Sequence, residues 1–228
     1  MSAALGTPKV VFFDAAGTLF HLPKSVGWHY AHVARGLGLK LEAAALDRAF
    51  ARVWREMPAR PATGRPRAED DKGWWRELVR GVVEEVAPQT EPLDRGAFFE
   101  VAYEHFAEAG VWELYPETVE VLRELQTRCR LAVISNFDGR LRMILEHLGI
   151  SHFFGSVVIS SEVGADKPAR LIFERALGLN DVKAGEALHV GDDPVKDWQG
   201  AAAAGLRVFE LKRPRTSLRD VLTACASR

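Results

Sequence analysis

Three polar residues follow short apolar runs at widely separated points of the chain. They are Asp14, Ser135 and Asp192, and a lysine at position 167 lies between the second and the third. A carboxylate can attack an electrophilic centre, or it can bind a hard cation such as Mg²⁺ through its oxygens. If the fold brings these residues together, they could act on an anionic group by supplying a nucleophile, a hydroxyl donor and positive charge.

The apolar runs before these residues predict buried strands. They do not alternate with polar residues, which is the pattern of a sheet covered on both faces. Helical stripes lie between the runs, so we expect an α/β fold with a doubly wound parallel sheet and right-handed crossovers. Ligands bind at the carboxyl edge of such sheets, which is where Asp14, Ser135 and Asp192 would converge. The runs are Val10–Phe13, Leu131–Ile134, Val157–Ile159, Ala187–Val190 and Leu206–Phe209.

Residues from about 20 to 113 interrupt the alternation of strands and helices. They contain several helical patterns, no clear strand and five of the six tryptophans. We therefore predict a core domain of residues 1–19 and 114–228 with a helical subdomain inserted at 20–113, and we expect its tryptophans to pack mainly in its interior. Pro58–Arg67 is rich in proline, glycine and arginine and predicts an exposed loop. Its arginines are expected to be solvated: Arg60, Arg65 and Arg67.

The composition excludes several classes of protein. With 228 residues, 47% of them hydrophobic and 27% charged, the chain has ordinary globular usage. A net charge of -1 gives no electrostatic reason to expect a nucleic acid or a membrane as partner. Two cysteines predict neither a disulfide framework nor a zinc site. Without a signal-peptide pattern or a spanning apolar run, we expect a cytoplasmic protein, either a monomer or a homodimer.

Four short motifs, taken in order, identify a family. Their order and spacing extend from residue 10 to about 210 and resemble those of the haloacid dehalogenase (HAD) superfamily, in the branch whose cap is inserted after the first motif. Any one motif alone would be weak. The motifs are Asp14–Leu19, Ile134–Asn136, Lys167–Pro168 after Gly164, and Gly191–Asp193 followed by Asp197.

The resemblance implies a hydrolase that acts on a small phosphorylated or otherwise anionic substrate. Asp14 would be the nucleophile and would form an aspartyl-phosphate. Because attacker and substrate are both anionic, a Mg²⁺ cofactor would be held by Asp14, Asp192 and the backbone carbonyl of Ala16. Lys167 and Ser135 would take part in catalysis by stabilising the phosphoryl oxygens.

The remaining motif residues are expected to bind phosphate or to orient the site. The phosphate would be bound by Thr18 and Asn136 together with Ser135 and Lys167. Asp193 and Asp197 would orient Lys167 and metal-bound water from a second layer.

Ala16 departs from the pattern of the family. Superfamily phosphatases usually carry a second aspartate there, which protonates the leaving group and later activates water. The loss of a general acid costs about 10²–10⁴ in rate. The sequence leaves three hypotheses open: a phosphatase that favours good leaving groups, a phosphonate or haloacid hydrolase on the same frame, and a weakly active or non-catalytic binding protein.

Overall fold

The structure is a computed structural model that describes residues 7–89 and 92–225, the side chains at 68–70 and 92–94 excepted. The described residues divide into two compact units. The core unit comprises the described residues of Met1–His21, Arg60–Arg67 and Glu113–Arg228. The helical unit comprises Leu22–Ala59 and the described residues of Ala68–Trp112.

Strands alternate with helices in the core unit, and the described elements of the helical unit are helices. Among the described residues, no helix is both long and apolar enough to cross a membrane. The strands are β1 Val10–Phe13, β2 Phe20–His21, β3 Glu113–Leu114, β4 Arg130–Ser135, β5 Ser156–Ile159, β6 Ala187–Gly191 and β7 Arg207–Glu210. The helices are α1 Val26–Gly36, α2 Ala43–Glu56, α3 Ala68–Val86, α4 Pro92–His105, α5 Thr118–Leu125, α6 Arg140–His147, α7 Ser160–Val163, α8 Arg170–Leu179, α9 Gly200–Ala203 and α10 Arg219–Ala224.

The parallel sheet of the core unit has the predicted doubly wound order. Among the described residues its strands run β5-β4-β1-β6-β7, and all of these pairs are parallel. Phe12 of β1 lies opposite Ala132 of β4 and His189 of β6, and all three are fully buried. Because β1 is central, the residues that end β1, β4 and β6 meet at one edge.

The core unit also contains a two-stranded antiparallel ribbon. It pairs Phe20 of β2 with Leu114 of β3, and His21 with Glu113. The sequence indicated no clear strand between 20 and 113, and this ribbon lies at the two ends of that range. Strands of two residues are too short to carry a period of two, so no pattern could have revealed them.

The segment between α2 and α3 is mostly exposed, as predicted, but two of its three arginines are not solvated. Arg67 is only 5% exposed, and both Arg67 and Arg60 form ion pairs with Asp166. Arg65 alone of the three arginines is exposed. The composition of the segment correctly indicated that it is not helical. It could not indicate a partner about a hundred residues away, and for that reason the burial was missed.

The helical unit packs α1 to α4 around an aromatic and aliphatic core. Tyr30, Leu46, Val82 and Phe98 lie at its centre and are almost completely buried. Trp28 and Trp54 do not follow the expectation of interior packing, because they are 43% and 40% exposed. Trp54 lies near the edge of the apolar stripe of α2, where a large ring is only partly covered. Trp28 lies on the exposed side of α1, where it stacks on His32.

A histidine pair lies inside the helical unit. His29 Nδ1 and His105 Nε2 are 3.0 Å apart, and His29 is 3% exposed. Burial, together with the neighbouring His105 and His32, lowers the pKa of His29 to about 4. His29 is therefore neutral at pH 7, and one nitrogen of the pair donates to the other.

Candidate active site

Asp14 lies directly after the central strand β1. Its backbone N–H donates to the carbonyl of Val190 at 2.9 Å, which fixes the residue at the carboxyl edge of the sheet. Its Oδ1 lies 2.6 Å from Lys167 Nζ, and the residue is 8% exposed. Burial raises the pKa of Asp14, and the charge of Asp197 adds to this, although Lys167 acts in the opposite direction.

Lys167 is held both at its backbone and at its side-chain ammonium. Its backbone N–H donates to Asn136 Oδ1 at 2.6 Å, and Asn136 Nδ2 donates to the Lys167 carbonyl at 2.9 Å. Its Nζ lies 2.6 Å from Asp14 Oδ1 and 2.6 Å from Asp197 Oδ1. Burial would lower the pKa of the lysine, but the two carboxylates outweigh burial and raise it. Lys167 therefore stays charged, and the Asn136 side chain serves to hold its backbone.

Asp192 contacts the loop that follows Asp14. Thr18 Oγ1 donates to Asp192 Oδ1 at 3.2 Å. Gly17 has a φ of 92°, and a Cβ at this position would lie 2.6 Å from Asp192 Oδ2, so only glycine permits this approach. Burial, followed by the charges of Asp14 and Asp197, raises the pKa of Asp192 to about 6.

The three aspartates carry more negative charge than the neighbouring lysine can balance. Asp14, Asp192 and Asp197 each offer a carboxylate oxygen, and these oxygens lie within 4.8 Å of one another. One ammonium faces three carboxylates, so the group has a formal charge of −2 when all are ionised. Carboxylate oxygens are the donors that Mg²⁺ prefers, and a divalent cation would balance this charge. The residues present therefore fit such an ion.

Asp193 and Asp197 organise the turn after β6. The Asp193 carboxylate accepts from the backbone N–H groups of Val195 and Lys196 and begins a π-helical turn, Pro194–Gln199. Asp197 Oδ2 accepts from the Asp193 backbone N–H at 3.0 Å. Burial acts against the charge of Asp197, but Lys167 and His189 outweigh it and lower the pKa of Asp197. With both oxygens engaged in the protein, Asp197 is better placed to orient Lys167 than to bind a ligand.

His189 is a site residue that the sequence analysis missed, because no histidine was assigned a role there. It is fully buried in β6, and its Nε2 lies 2.9 Å from Asp197 Oδ1. Burial lowers the pKa of His189, so Nε2 carries the proton of a neutral ring and donates it to the carboxylate. A signal was present, since an ionisable residue inside an apolar strand must have a buried partner.

The remaining predicted residues lie on the same edge. Ser135 ends β4 and is 3% exposed, and Thr18 is fully buried beside Asp192. Ala16 forms an isolated bridge with Phe20 and offers no side-chain acid. The structure thus brings Asp14, Lys167 and Asp192 together, while their roles in catalysis, phosphate binding and metal binding stay predictions.

Comparison with known proteins identifies relatives along most of the chain. The family model described as haloacid dehalogenase-like hydrolase matches residues 8–205. Haloacid dehalogenase-like hydrolase domain-containing protein 3 of Homo sapiens is 34% identical over 217 residues, which is 91% of this chain and 83% of the relative.

Solved structures share the fold at lower identity. YfnB from Bacillus subtilis, solved bound to magnesium, has a TM-score of 0.70 and 17% identity over 90% of this chain and 89% of its own. The 2-haloacid dehalogenase of Pseudomonas syringae pv. Tomato DC3000 has a TM-score of 0.65 and 21% identity over 96% of this chain and 98% of its own. With the family match and the identity to the human relative, the chain belongs to the haloacid dehalogenase-like hydrolase family.

Proposed function

We propose that the protein is a Mg²⁺-dependent phosphatase that acts on a small phosphorylated metabolite through an aspartyl-phosphate on Asp14. One observation carries the proposal. A buried carboxylate, Asp14, lies at the sheet edge within hydrogen-bond distance of a charged lysine, in a group of three carboxylates that has too little positive charge. Such a group favours a ligand that brings a cation with it.

The side chains divide the reaction between them. The Asp14 carboxylate would attack phosphorus, forming its own O–P bond as the bond from phosphorus to the leaving oxygen breaks. Lys167 would stabilise charge on the phosphoryl oxygens, with hydrogen bonds from Ser135, Thr18 and the Asn136 backbone. Water would then hydrolyse the aspartyl-phosphate and return Asp14. Asp197 would keep the ammonium of Lys167 in place throughout.

The metal would be held by Asp14, Asp192 and the Ala16 carbonyl. A bound Mg²⁺ would neutralise the two carboxylates and polarise the phosphoryl group. Two observations support this choice of ion: the oxygen-only donor set of this chain, and the magnesium bound to YfnB, which shares the fold.

Ala16 restricts the substrates that we propose. Without an acid at this position the leaving oxygen departs as an anion, so esters of weakly acidic alcohols would react slowly. Aryl and acyl phosphates have stable leaving anions and need little proton transfer. We therefore propose that the enzyme favours phosphate bound to a good leaving group.

Release of p-nitrophenol from p-nitrophenyl phosphate tests the proposal. Turnover should require Mg²⁺, stop with a chelator and be abolished in Asp14→Asn, whose melting temperature should stay close to that of the wild type. Asp181→Asn is the matched control, because Asp181 is exposed in the loop after α8 and should keep full activity. Turnover that persists in Asp14→Asn would exclude the aspartyl-phosphate mechanism.

A second candidate is haloacid hydrolysis, which the absence of an acid at Ala16 favours. Asp14 would displace halide from carbon, and water would cleave the resulting ester. Halide release from 2-chloropropionate without Mg²⁺, in the absence of p-nitrophenyl phosphate turnover, would select this reaction. Phosphonate cleavage through a lysine Schiff base gains less support, because Lys72 of the insert forms an ion pair with Glu100 at 2.7 Å and Lys24 and Lys40 are exposed. Inactivity of the folded protein on both substrates would favour a binding role.

A further inference from the structure

The segment that joins α2 to α3 lies against the loop that carries Lys167. This 60–67 segment belongs to the core unit. The backbone N–H groups of Thr63 and Gly64 both donate to the carbonyl of Gly164, at 2.9 and 3.2 Å. The backbone N–H of Arg67 donates to the Ser161 carbonyl at 2.7 Å. The segment is therefore hydrogen-bonded to Ser161 and Gly164, in the stretch of chain that leads to Lys167.

Two arginines of the segment hold Asp166, the neighbour of Lys167. Arg67 Nη2 donates to Asp166 Oδ1 at 2.8 Å, and Arg60 Nε donates to Asp166 Oδ2 at 2.9 Å. The Arg67 guanidinium also donates to the carbonyls of Pro61 and Ser160, at 3.2 and 3.4 Å. Both oxygens of Asp166 are thus fixed by charge-assisted bonds at a position that is only 18% exposed. A lysine in place of Arg67 could not make all these contacts from one planar group.

Gly164 permits this close approach. Its φ is 73°, and a Cβ there would lie 2.0 Å from the carbonyl oxygen of Arg65. Any side chain at 164 would push the segment away from the loop. The glycine of the third motif is therefore explained by contact with the 60–67 segment as well as by its own backbone conformation.

The backbone around Lys167 is consequently held from two sides. Asn136 binds the backbone of Lys167 itself, and Arg67 and Arg60 hold the side chain of the preceding residue, Asp166. The lysine side chain is long and has many rotamers, so the position of its ammonium depends on how firmly its backbone is fixed. A displacement of 1 Å in a catalytic group can cost about a hundredfold in rate.

We propose that Arg67 is a positioning residue, which sets the place of the Lys167 ammonium through Asp166. The inference rests on the proposed role of Lys167 in binding the phosphoryl group. It adds a residue that the family motifs do not contain, and it gives the 60–67 segment a function in the catalytic half of the molecule.

Two measurements test the proposal: kcat and KM with p-nitrophenyl phosphate, and the affinity for inorganic phosphate in the presence of Mg²⁺ by calorimetry. The variants are Arg67→Lys and Asp166→Asn, each mild enough to fold, and their double variant. Arg65→Ala is the matched control, since the Arg65 side chain is exposed on the same segment. Lys167→Ala shows how much phosphate binding depends on the ammonium.

We expect both single variants to lower kcat and phosphate affinity about tenfold. The double variant should be no worse than Asp166→Asn, because the proposal has Arg67 act on Lys167 through Asp166. Arg65→Ala should match the wild type. If Arg67→Lys and Asp166→Asn lower only the melting temperature, with kcat and phosphate affinity within twofold of wild type, the segment is a scaffold and the proposal is wrong.

The two proposals can fail separately. A wild type that binds phosphate through Lys167 but has no turnover would contradict the proposed reaction, and the phosphate affinity of Arg67→Lys would still decide the positioning role. A wild type that neither turns over p-nitrophenyl phosphate nor binds phosphate would overturn both.

Discussion

His189 Nε2 donates to Asp197 Oδ1 across 2.9 Å, the same oxygen that lies 2.6 Å from Lys167 Nζ. The two donors together keep Asp197 ionised in a buried position. Replacing His189 by phenylalanine removes one of them and keeps an aromatic ring. We expect the free energy of unfolding to fall by about 1–3 kcal/mol, because a buried carboxylate loses a donor. Urea denaturation measures this change.

The His189 variant should also affect catalysis. With one donor fewer, Asp197 can rotate, and Lys167 loses a fixed partner, so kcat for p-nitrophenyl phosphate should fall about tenfold. His189→Gln is the control, because its amide N–H can still reach the carboxylate and should restore part of the rate. Equal kcat in wild type and His189→Phe would mean that Lys167 and the Asp193 backbone N–H orient Asp197 without His189.

Ala16→Asp should supply the missing acid. A carboxyl group at this position can protonate the leaving oxygen, and a general acid contributes about 10²–10⁴ in rate. We expect a gain of about a hundredfold or more on an alkyl phosphate such as glycerol phosphate, and little gain on p-nitrophenyl phosphate. Phosphate release from both substrates measures the effect. Ala16→Asn has the same size without an acid, so a similar gain in that variant would assign the effect to shape.

Mg²⁺ binding should weaken in acid because of Asp192, whose pKa is raised to about 6. The metal binds the ionised carboxylate, so protons compete with it below pH 6. Without metal, the folded state binds this proton more tightly than the unfolded chain does, so the contribution of Asp192 to stability is greatest in acid and is lost as the pH rises through 6.

The increase in melting temperature caused by Mg²⁺ should therefore be larger at pH 7.5 than at pH 5.5. Thermal unfolding with and without Mg²⁺ at the two pH values measures it. Asp192→Asn should abolish the increase at both, and an undiminished increase in that variant would show that Mg²⁺ binds elsewhere.

The helical unit should lose stability in acid through His29. Its pKa is lowered to about 4, below the unfolded value near 6.5, so the unfolded chain takes up the proton first as the pH falls. The stabilising contribution is complete above pH 6.5 and decreases toward pH 4. For these pKa values the loss at pH 5 is about 2 kcal/mol. His29→Phe should flatten the dependence of unfolding free energy on pH between 4 and 6.5, which urea denaturation at several pH values measures. An unchanged dependence in His29→Phe would show that other groups cause the loss of stability.

The sequence predicted the sheet and the residues at its edge, because both depend on local patterns. Apolar runs identify strands buried on two faces, and a polar residue after such a run lies at the edge where Asp14 and Asp192 are found. The approach of Gly17 to Asp192 and the pairing of His189 with Asp197 depend on how loops cross, which no periodicity encodes. The partner of Arg67 was hidden for the same reason, since Asp166 is 99 residues away in the chain.

The 60–67 segment also limits the modularity of the helical insert. His21 and Glu113 are ribbon partners, so the chain leaves and rejoins the core unit at adjacent residues, as in a subdomain that could be excised and replaced. Within the described ranges, however, the chain passes between the core unit and the helical unit four times. Residues 60–67 belong to the core unit and lie between the two halves of the insert. Joining residue 21 directly to residue 113 would delete Arg60 and Arg67 together with the helices. A minimal enzyme or a domain-swapped chimera would therefore have to retain this segment, or replace Asp166 along with it.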